Sequence, residues 1–330
     1  MKTRKLGANG PAVSAVGLGC MGMSDLYGAS DRAEGVATIH AALDAGVTLL
    51  DTGDFYGMGH NEMLIAEALQ GRPRDAVILS VKFGAQRDPQ GNWVGFDGRP
   101  SAVKTSLAYS LKRLRVDYLD IYRPARLDPN VPIEETIGAI ADMVKAGYVR
   151  FIGLSEFGPE TIRRAAAVHP IADVQIEYSL ISRGIEKSIL PTCRALGVGI
   201  TAYGVLSRGL IGGHWQAGKQ TGAGDFRTTI PRFQGENLER NLGLVDEIKR
   251  IADAKGATVA QIAIAWVLSR GDDIAPLIGA RRRDRLAESL GALSLTLDRD
   301  EISLLEQLAS SVAGERYAES QMAHLDSERG

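Results

Sequence analysis

The sequence predicts an α/β protein folded as a closed (β/α)8 TIM barrel, with an N-terminal β-hairpin and long loops on the carboxyl face. Three observations predict this fold. Eight short apolar segments with strand character recur along the 330 residues. Amphipathic helical patterns separate them, and strands that alternate with helices are typical of a parallel sheet. No change of composition marks a domain boundary, so we expect one barrel domain over residues 1–330.

Each element has its own local signal. Two brief strand-like pieces around Gly10 and Pro11 predict a hairpin that closes the barrel floor. The barrel strands are expected at 16–19, 47–51, 77–81, 118–122, 151–154, 174–176, 199–202 and 275–278. Helical patterns cover 32–44, 62–69, 102–114, 133–146, 159–168, 189–196, 238–255 and 259–269. The long loops after the third and seventh strands fall on the carboxyl face, where a lid or binding role is expected.

Composition excludes several classes of protein. The net charge of -2 argues against a nucleic-acid partner, because such proteins usually carry a basic face. Cys20 and Cys193 have no metal-ligand spacing and are too few for a disulfide framework, which indicates a reducing cytoplasm and no metal site. No apolar stretch approaches the roughly 20 residues that cross a bilayer, and the N-terminus has no secretory pattern. We therefore expect a cytoplasmic protein without a membrane partner.

Polar residues stand after successive strands, at positions where a residue of the barrel floor would be apolar. They are Asp51, Tyr56, Lys82, Ser155, Glu156, Gln175 and Tyr203. A lysine ammonium beside a tyrosine phenol favours the phenolate, and a carboxylate can anchor that ammonium. Tyr56, Lys82 and Asp51 together therefore predict a proton donor at the barrel mouth.

Four arginines crowd the start of the helix expected after the eighth strand: Arg281, Arg282, Arg283 and Arg285. A helix N-terminus already carries partial positive charge, so this arrangement is unfavourable unless an anion offsets it. A phosphate is the simplest such anion. The alternative is a solvated basic patch paired with Asp284 and Glu288.

Sequence blocks in a characteristic order carry a resemblance to a known family. The blocks are GLGCMGMSDLYG, DTGDFYG, VKFG, YLDIY, IGLSE, QIEYSL, AYGVLSRG and GARRRDRLAESLGAL. Along essentially its whole length the chain resembles the aldo-keto reductase superfamily, and within it the bacterial reductases with GLGCMGMS and GLSE blocks. The resemblance implies an NADPH-dependent oxidoreductase that reduces a small-molecule aldehyde or ketone to an alcohol by hydride transfer. It leaves the oligomeric state open, a homo-oligomer included.

The resemblance also assigns roles to residues. Tyr56 would be the general acid, with Lys82 and Asp51 setting its pKa. Substrate contacts are expected from Tyr56, Ala125 and Trp93. Cofactor contacts are expected from Gly19, Cys20, Met21, Asp51, Ser155, Glu156, Gln175, Tyr203, Gly204, Leu206, Ser207, Arg208, Gly279, Arg281, Arg282, Arg285, Glu288 and Ser289. Of these, Tyr203 would stack on the nicotinamide, and the arginines would bind the adenosine 2′-phosphate.

Ala125 departs from the family pattern, because a histidine that hydrogen-bonds the substrate carbonyl usually stands there. Glu156 and Ser289 depart more mildly, each in place of an asparagine. Losing a donor to a developing oxyanion costs on the order of 3 kcal/mol. A water, a bulkier substrate, Arg123 or Arg126 could fill the space, although neighbouring side chains on an extended segment usually face opposite ways.

Two other functions stay open at this point. An NADP(H)-binding redox sensor or regulatory protein with weak catalysis would explain the missing histidine. An aldolase or isomerase on the same barrel would use Lys82 to form a Schiff base. Intact Tyr56, Lys82 and Asp51 speak against the sensor. An aldolase or isomerase would need a different anionic ligand for the arginines after the eighth strand.

Overall fold

The computed structural model describes residues 1–24, 26–216 and 225–329. Its strands are β1 (Thr3–Lys5), β2 (Ala12–Ser14), β3 (Gly17–Gly19), β4 (Leu49–Gly53), β5 (Ile78–Phe83), β6 (Ala85–Arg87), β7 (Trp93–Phe96), β8 (Leu119–Pro124), β9 (Val149–Ser155), β10 (Ile171–Glu177), β11 (Gly199–Tyr203) and β12 (Ile274–Ile278). Its helices are α1 (Arg32–Asp44), α2 (His60–Ala68), α3 (Pro100–Leu114), α4 (Ile133–Lys145), α5 (Pro159–Val168), α6 (Ile189–Leu196), α7 (Gly235–Ala254), α8 (Val259–Ser269), α9 (Arg283–Leu290), α10 (Arg299–Ala309) and α11 (Glu319–Met322).

Eight parallel strands close into a barrel in the order β3, β4, β5, β8, β9, β10, β11, β12 and back to β3. Leu277 and Ile278 of β12 lie opposite Gly17 and Leu18 of β3 and complete the ring. The predicted (β/α)8 TIM barrel is therefore confirmed. Because all eight strands run the same way, their carboxyl ends and the side chains that follow them meet at one mouth.

The amino end of the barrel is closed by the predicted hairpin. Strands β1 and β2 pair antiparallel, with Thr3 opposite Ser14. Leu6 and Val13, at the inner side of this hairpin, are fully buried in a small apolar cluster with Leu49 and Ile121 inside the barrel. The floor is thus a packed plug, and access to the barrel interior is left to the mouth.

The larger part of the core lies between the strands and the surrounding helices. Helix α8 is buried along almost its whole length, which explains its apolar sequence. Within the described ranges no single helix has the length and apolar character of a membrane span; α7 and α8 pass that test only as a pair, and they are bent by 85°.

The chain after β5 and after β12 contains elements beyond those that the sequence predicted. The segment after β5 forms a second hairpin, β6–β7, in which Ala85 pairs with Phe96. Its turn is closed where the Asp88 N–H donates to the Asn92 carbonyl oxygen at 3.0 Å. After β12 the chain adds α9 and also α10, which begins at a capping box. Part of the predicted loop after the seventh strand, 217–224, lies outside the described residues.

Candidate active site

An ion pair between Asp51 and Lys82 lies at the centre of the mouth. The two residues come from the neighbouring strands β4 and β5, and both are at least 95% buried. The other carboxylate oxygen of Asp51, Oδ2, accepts hydrogen bonds from Ser80 Oγ at 2.9 Å and Gln175 Nε2 at 2.7 Å. Donors from three directions therefore hold the carboxylate, and the carboxylate holds the ammonium in place.

Tyr56 lies beside this pair, in the short turn that follows β4. The ammonium nitrogen of Lys82 is 5.2 Å from the centre of the Tyr56 ring, and the tyrosine is buried. Burial raises the pKa of Tyr56 well above its ordinary value, and the negative charge of Asp51 raises it further. The phenol therefore holds its proton at neutral pH. The cation that opposes this rise most strongly is Arg126.

Lys82 contributes less free charge than the sequence alone suggests, because Asp51 neutralises it. Burial lowers the pKa of Lys82, and the attraction of Asp51 opposes that change. A buried ion pair of this kind presents little net charge to a third group. The lowering of the Tyr56 pKa that was expected from Lys82 therefore comes in part from a second cation, Arg126.

The two arginines near Ala125 occupy different levels of the barrel. Arg123 is fully buried inside the strands, where Nη1 lies 2.9 Å from Asp173 Oδ2 and Nη2 donates to Ser80 Oγ at 2.9 Å. Arg126 reaches the mouth, where Nη1 donates to the Ala125 carbonyl oxygen at 2.6 Å and to Ser155 Oγ at 3.3 Å. Strand alternation does not fix the direction of the Arg126 side chain, because β8 ends at Pro124 and the chain bends at the next two residues.

The segment after α10 folds back over the mouth and engages Glu156. Arg316 donates to both carboxylate oxygens of Glu156, at 3.0 and 2.7 Å, and Ser327 Oγ donates at 2.6 Å. The Tyr203 hydroxyl donates to the same carboxylate at 2.7 Å and shares a 2.9 Å hydrogen bond with the Tyr317 hydroxyl. Burial alone would raise the pKa of Glu156, but the charge and hydrogen bonds of Arg316, the charge of Arg126 and the hydrogen bond from Ser327 together outweigh it, and the pKa lies far below its usual range.

A second buried ion pair joins the ends of β10 and β11. Arg208 Nη2 lies 2.8 Å from Glu177 Oε2, and both side chains are buried. Three non-glycine residues of the expected cofactor set have positive φ: Glu156 at 61°, Ser207 at 45° and Arg208 at 56°. Such conformations cost of order 1–3 kcal/mol each and tend to cluster at functional sites. The strain at this mouth accordingly points to function.

The arginines before and within α9 line an open cleft together with the segment before α1. Arg281 Nη1 donates to the Tyr27 carbonyl oxygen at 2.9 Å. The carboxylate of Glu34 in α1 accepts hydrogen bonds from the backbone N–H of Arg283 at 2.9 Å and from its guanidinium, also at 2.9 Å. Glu34 therefore supplies part of the negative charge that the arginine cluster was expected to need. The remaining two arginines pair with carboxylates of α9: Arg282 with the exposed Asp284, and Arg285 with Glu288, which is mostly buried.

The other expected contact residues are spread around the same face. Gly19 and Met21 lie at and just after the end of β3, and Cys20 between them is fully buried. Burial raises the pKa of the Cys20 thiol, so it is a poor nucleophile. Gly204, Leu206 and Gly279 follow β11 and β12, and Ser289 is buried in α9. Trp93 is 47% exposed on β7, and its ring lies 5.7 Å from that of Phe55.

Sequence reasoning missed several groups that the structure brings into this site. Ser80 carried a usable signal, because it has the same strand parity as Lys82 and is polar. Phe55 stands next to Tyr56, and its ring lies 4.8 Å from it. Arg316 and Tyr317 had no signal, because their segment is polar and nothing local reports where it folds.

Comparisons with known proteins show the family to which this barrel belongs. The family model for the Aldo/keto reductase family matches residues 15–310. A solved structure of the glycerol dehydrogenase AKR11B4 from Gluconobacter oxydans is 30% identical, with a TM-score of 0.86 over 95% of this chain and 96% of that one. The thermostable aldo-keto reductase Tm1743, solved with the inhibitor epalrestat, is 28% identical, with a TM-score of 0.74 over 93% of this chain and 100% of that one.

The chain belongs to the aldo/keto reductase family. The resemblance drawn from its sequence blocks is confirmed, and so is an oxidoreductase that acts on carbonyl compounds. The roles of individual residues and the identity of the cofactor stay predictions, which are argued next.

Proposed function

We propose that the protein is an NADPH-dependent reductase that converts aldehydes or ketones to alcohols, with Tyr56 as the general acid. The observation that carries this proposal is the buried Asp51–Lys82 pair beside the Tyr56 ring, at the mouth of a closed barrel. A phenol that keeps its proton at neutral pH and has cations nearby is suited to give that proton to an oxygen that gains negative charge.

The residues around the mouth fit a phosphorylated dinucleotide. The cleft between α1 and α9 has guanidinium groups. The pair of Arg282 with Asp284 is exposed and therefore weak, and Arg285 is 41% exposed although its partner Glu288 is mostly buried. A phosphate could replace those pairs, with Arg281 as a third donor. Where the nicotinamide would lie, at the ends of β9, β10 and β11, Ser155 and Gln175 offer polar side chains and Tyr203 offers an aromatic face. Glu156 has its carboxylate occupied by Arg316, so we assign the carboxamide contact to Ser155 and Gln175.

The chemistry divides between the cofactor and the chain. NADPH, when bound, supplies the hydride that goes to the carbonyl carbon. Tyr56 gives the proton from its hydroxyl to the carbonyl oxygen and later regains one from water. Lys82 and Arg126 stabilise the phenolate left behind, and Asp51 keeps the ammonium directed at the ring. Phe55 and Trp93 offer an apolar aromatic wall to the substrate.

Oxidation of NADPH across a panel of aldehydes, ketones and pyridoxal-like compounds tests the proposal. Tyr56→Phe should lower kcat by about 100-fold or more, because positioned acid catalysis is lost. Its dissociation constant for NADPH should stay unchanged. Tyr109→Phe, at a tyrosine that is 60% exposed, is the matched control and should behave as the wild type.

Two outcomes would contradict the proposal. If wild-type protein binds NADPH but turns over no carbonyl compound, the redox sensor is the better description. If Tyr56→Phe stays within about threefold of the wild type on every active substrate, another group is the acid.

A further inference from the structure

A cation, the guanidinium of Arg126, is hydrogen-bonded to the backbone carbonyl oxygen of Ala125. Ala125 is only 2% exposed, and its N–H continues the strand pairing by donating to the Phe83 carbonyl oxygen at 2.8 Å. The alanine therefore contributes no functional group to the mouth. The next side chain, that of Arg126, turns into the mouth and lies against Ser155.

The guanidinium of Arg126 is held at one end only. Both of its hydrogen bonds in the described parts of the chain use Nη1, and both go to neutral oxygens, those of Ala125 and Ser155. The opposite edge, formed by Nε and Nη2, makes no hydrogen bond to any described residue. Two parallel N–H donors are thus anchored by the protein and left available to a ligand.

Charge balance distinguishes Arg126 from the other cations at the mouth. Lys82 is paired with Asp51, Arg208 with Glu177, and Arg316 with Glu156. Arg126 lies within ion-pairing distance of no described carboxylate. Although burial disfavours its charge, the nearby phenols of Tyr203 and Tyr317 and the more distant Glu156 outweigh this effect and raise the pKa of Arg126.

Arg126 also acts on the same phenol that we assign as the acid. It is the strongest of the cations that lower the pKa of Tyr56, and it lowers the pKa of Lys82 by like-charge repulsion. The guanidinium lies at the mouth, against Ser155 at the carboxyl end of β9, on the face where the site has been placed. An unpaired cation there stabilises negative charge that appears on a bound carbonyl oxygen during reduction.

We propose that Arg126 is a catalytic residue that donates to the reacting carbonyl oxygen, opposite Tyr56, and takes the part that the missing imidazole plays in related reductases. This inference rests on the proposed function and deepens it. The reaction stays balanced: the carbon receives hydride, the oxygen receives the proton of Tyr56, and Arg126 remains protonated throughout.

The test compares Arg126→Met and Arg126→Lys with the wild type, on benzaldehyde and on 4-carboxybenzaldehyde. Removal of one positioned donor to an oxyanion should lower kcat by about 100-fold on both substrates in Arg126→Met. Arg126→Lys keeps the charge without the fork and should retain more of the activity. NADPH binding and melting temperature, measured in parallel, show whether each variant is folded. Arg99→Met, which removes a guanidinium that is 67% exposed on the same face, should leave kcat unchanged.

A binding measurement separates this inference from the proposed function. Benzoate titrated into protein saturated with NADP+ should bind the wild type about tenfold or more tightly than Arg126→Met, because its carboxylate stands in for the charged oxygen. If the wild type reduces no aldehyde, the proposed function fails, and benzoate binding still decides whether Arg126 holds an anion. Equal benzoate affinity, kcat of Arg126→Met within about threefold of the wild type, or a loss confined to 4-carboxybenzaldehyde would each overturn the assignment.

Discussion

Asp54 shows how a single half-buried carboxyl group can make stability depend on pH. It stands two residues before Tyr56, and its Oδ1 has no hydrogen-bond partner among the described residues. Burial raises the pKa of Asp54 to about 7, and repulsion from Glu62 adds to the effect while Arg113 opposes it. An unfolded chain would titrate the same group near its ordinary value of about 3.9. The folded protein therefore binds this proton more tightly than the unfolded chain does.

We predict that the free energy of unfolding falls as the pH rises from 5 to 7, by on the order of 1 kcal/mol per pH unit from this group. The sign follows because the folded state holds the extra proton between the two pKa values, so that raising the pH penalises folding. Asp54→Asn cannot titrate and should lose this dependence. Urea unfolding of both proteins between pH 5 and 8 checks it, and parallel profiles would contradict it.

Arg123 and Arg126 illustrate what residue type alone leaves undecided. Both are arginines near the end of β8, and the sequence treats them alike. Arg123 faces the fully buried Asp173, so it serves the barrel interior, whereas Arg126 lies beyond the last strand residue and serves the mouth. The physical difference is the bend after Pro124, which no local pattern reported.

At the scale of elements, the C-terminal segment is part of the site. Ala313 is tied to Asn241 of α7 by hydrogen bonds of 2.9 Å, and Arg316 and Ser327 then clasp Glu156 after β9. A glutamate with positive φ at the mouth would carry an uncompensated buried charge without this segment. The charges of Glu156 and Arg316 therefore depend on each other, and we expect their contributions to stability to be coupled.

We predict that Arg316→Met lowers the free energy of unfolding by about 3 kcal/mol, because it strands the buried Glu156 charge. Glu156→Gln combined with Arg316→Met should recover most of that loss, since the charge itself is then absent. Arg164→Met breaks an exposed pair with Glu134 and should cost less than about 1 kcal/mol. Urea unfolding of these three variants and of Glu156→Gln alone gives the four values needed. Additive effects of Glu156→Gln and Arg316→Met would refute the coupling.

Most elements were predictable from the sequence because their signals are local. Helices α1, α5, α6 and α8 have the predicted bounds, and the eight barrel strands fall within a few residues of theirs. The β6–β7 hairpin was missed, although the turn around Asp88 and Gly91 offered a hint. Helix α10 was missed as well, despite the capping box of Asp298 and Glu301. Both elements therefore had a local signal in the sequence: a turn in the first case and a capping box in the second.

At the scale of the whole molecule, the two ends of the barrel have separate tasks. The floor is sealed by the N-terminal hairpin, whose loop packs directly on the start of β11: Ala8 N–H donates to the Gly197 carbonyl oxygen at 2.6 Å. A Cβ on Gly199 would lie 2.6 Å from Gly7 N and 2.8 Å from Leu6 C, both backbone atoms that cannot turn aside. The glycine is needed for this close approach.

We predict that Gly199→Ala lowers the free energy of unfolding by about 1–3 kcal/mol through overpacking at the floor. The kcat of the folded variant should stay at the wild-type value, because the mouth lies at the other end of the strands. Gly138→Ala in α4 meets no atom within 4 Å and should stabilise by about 0.4–1 kcal/mol. Urea unfolding with parallel kinetics checks both. A loss of turnover without a loss of stability in Gly199→Ala would contradict the separation.

The sequence by itself determined the barrel and the set of polar groups at its mouth. Apolar periodicity and strand ends are recognised from a few neighbouring residues. Asp51, Tyr56 and Lys82 could therefore be placed at one end of a parallel barrel from the sequence alone. Only the tertiary structure decided which charges are paired there. Whether Arg126 is left without a carboxylate, or Glu156 meets Arg316, depends on contacts between segments far apart in the chain, and electrostatic energy depends on those distances rather than on order in the sequence.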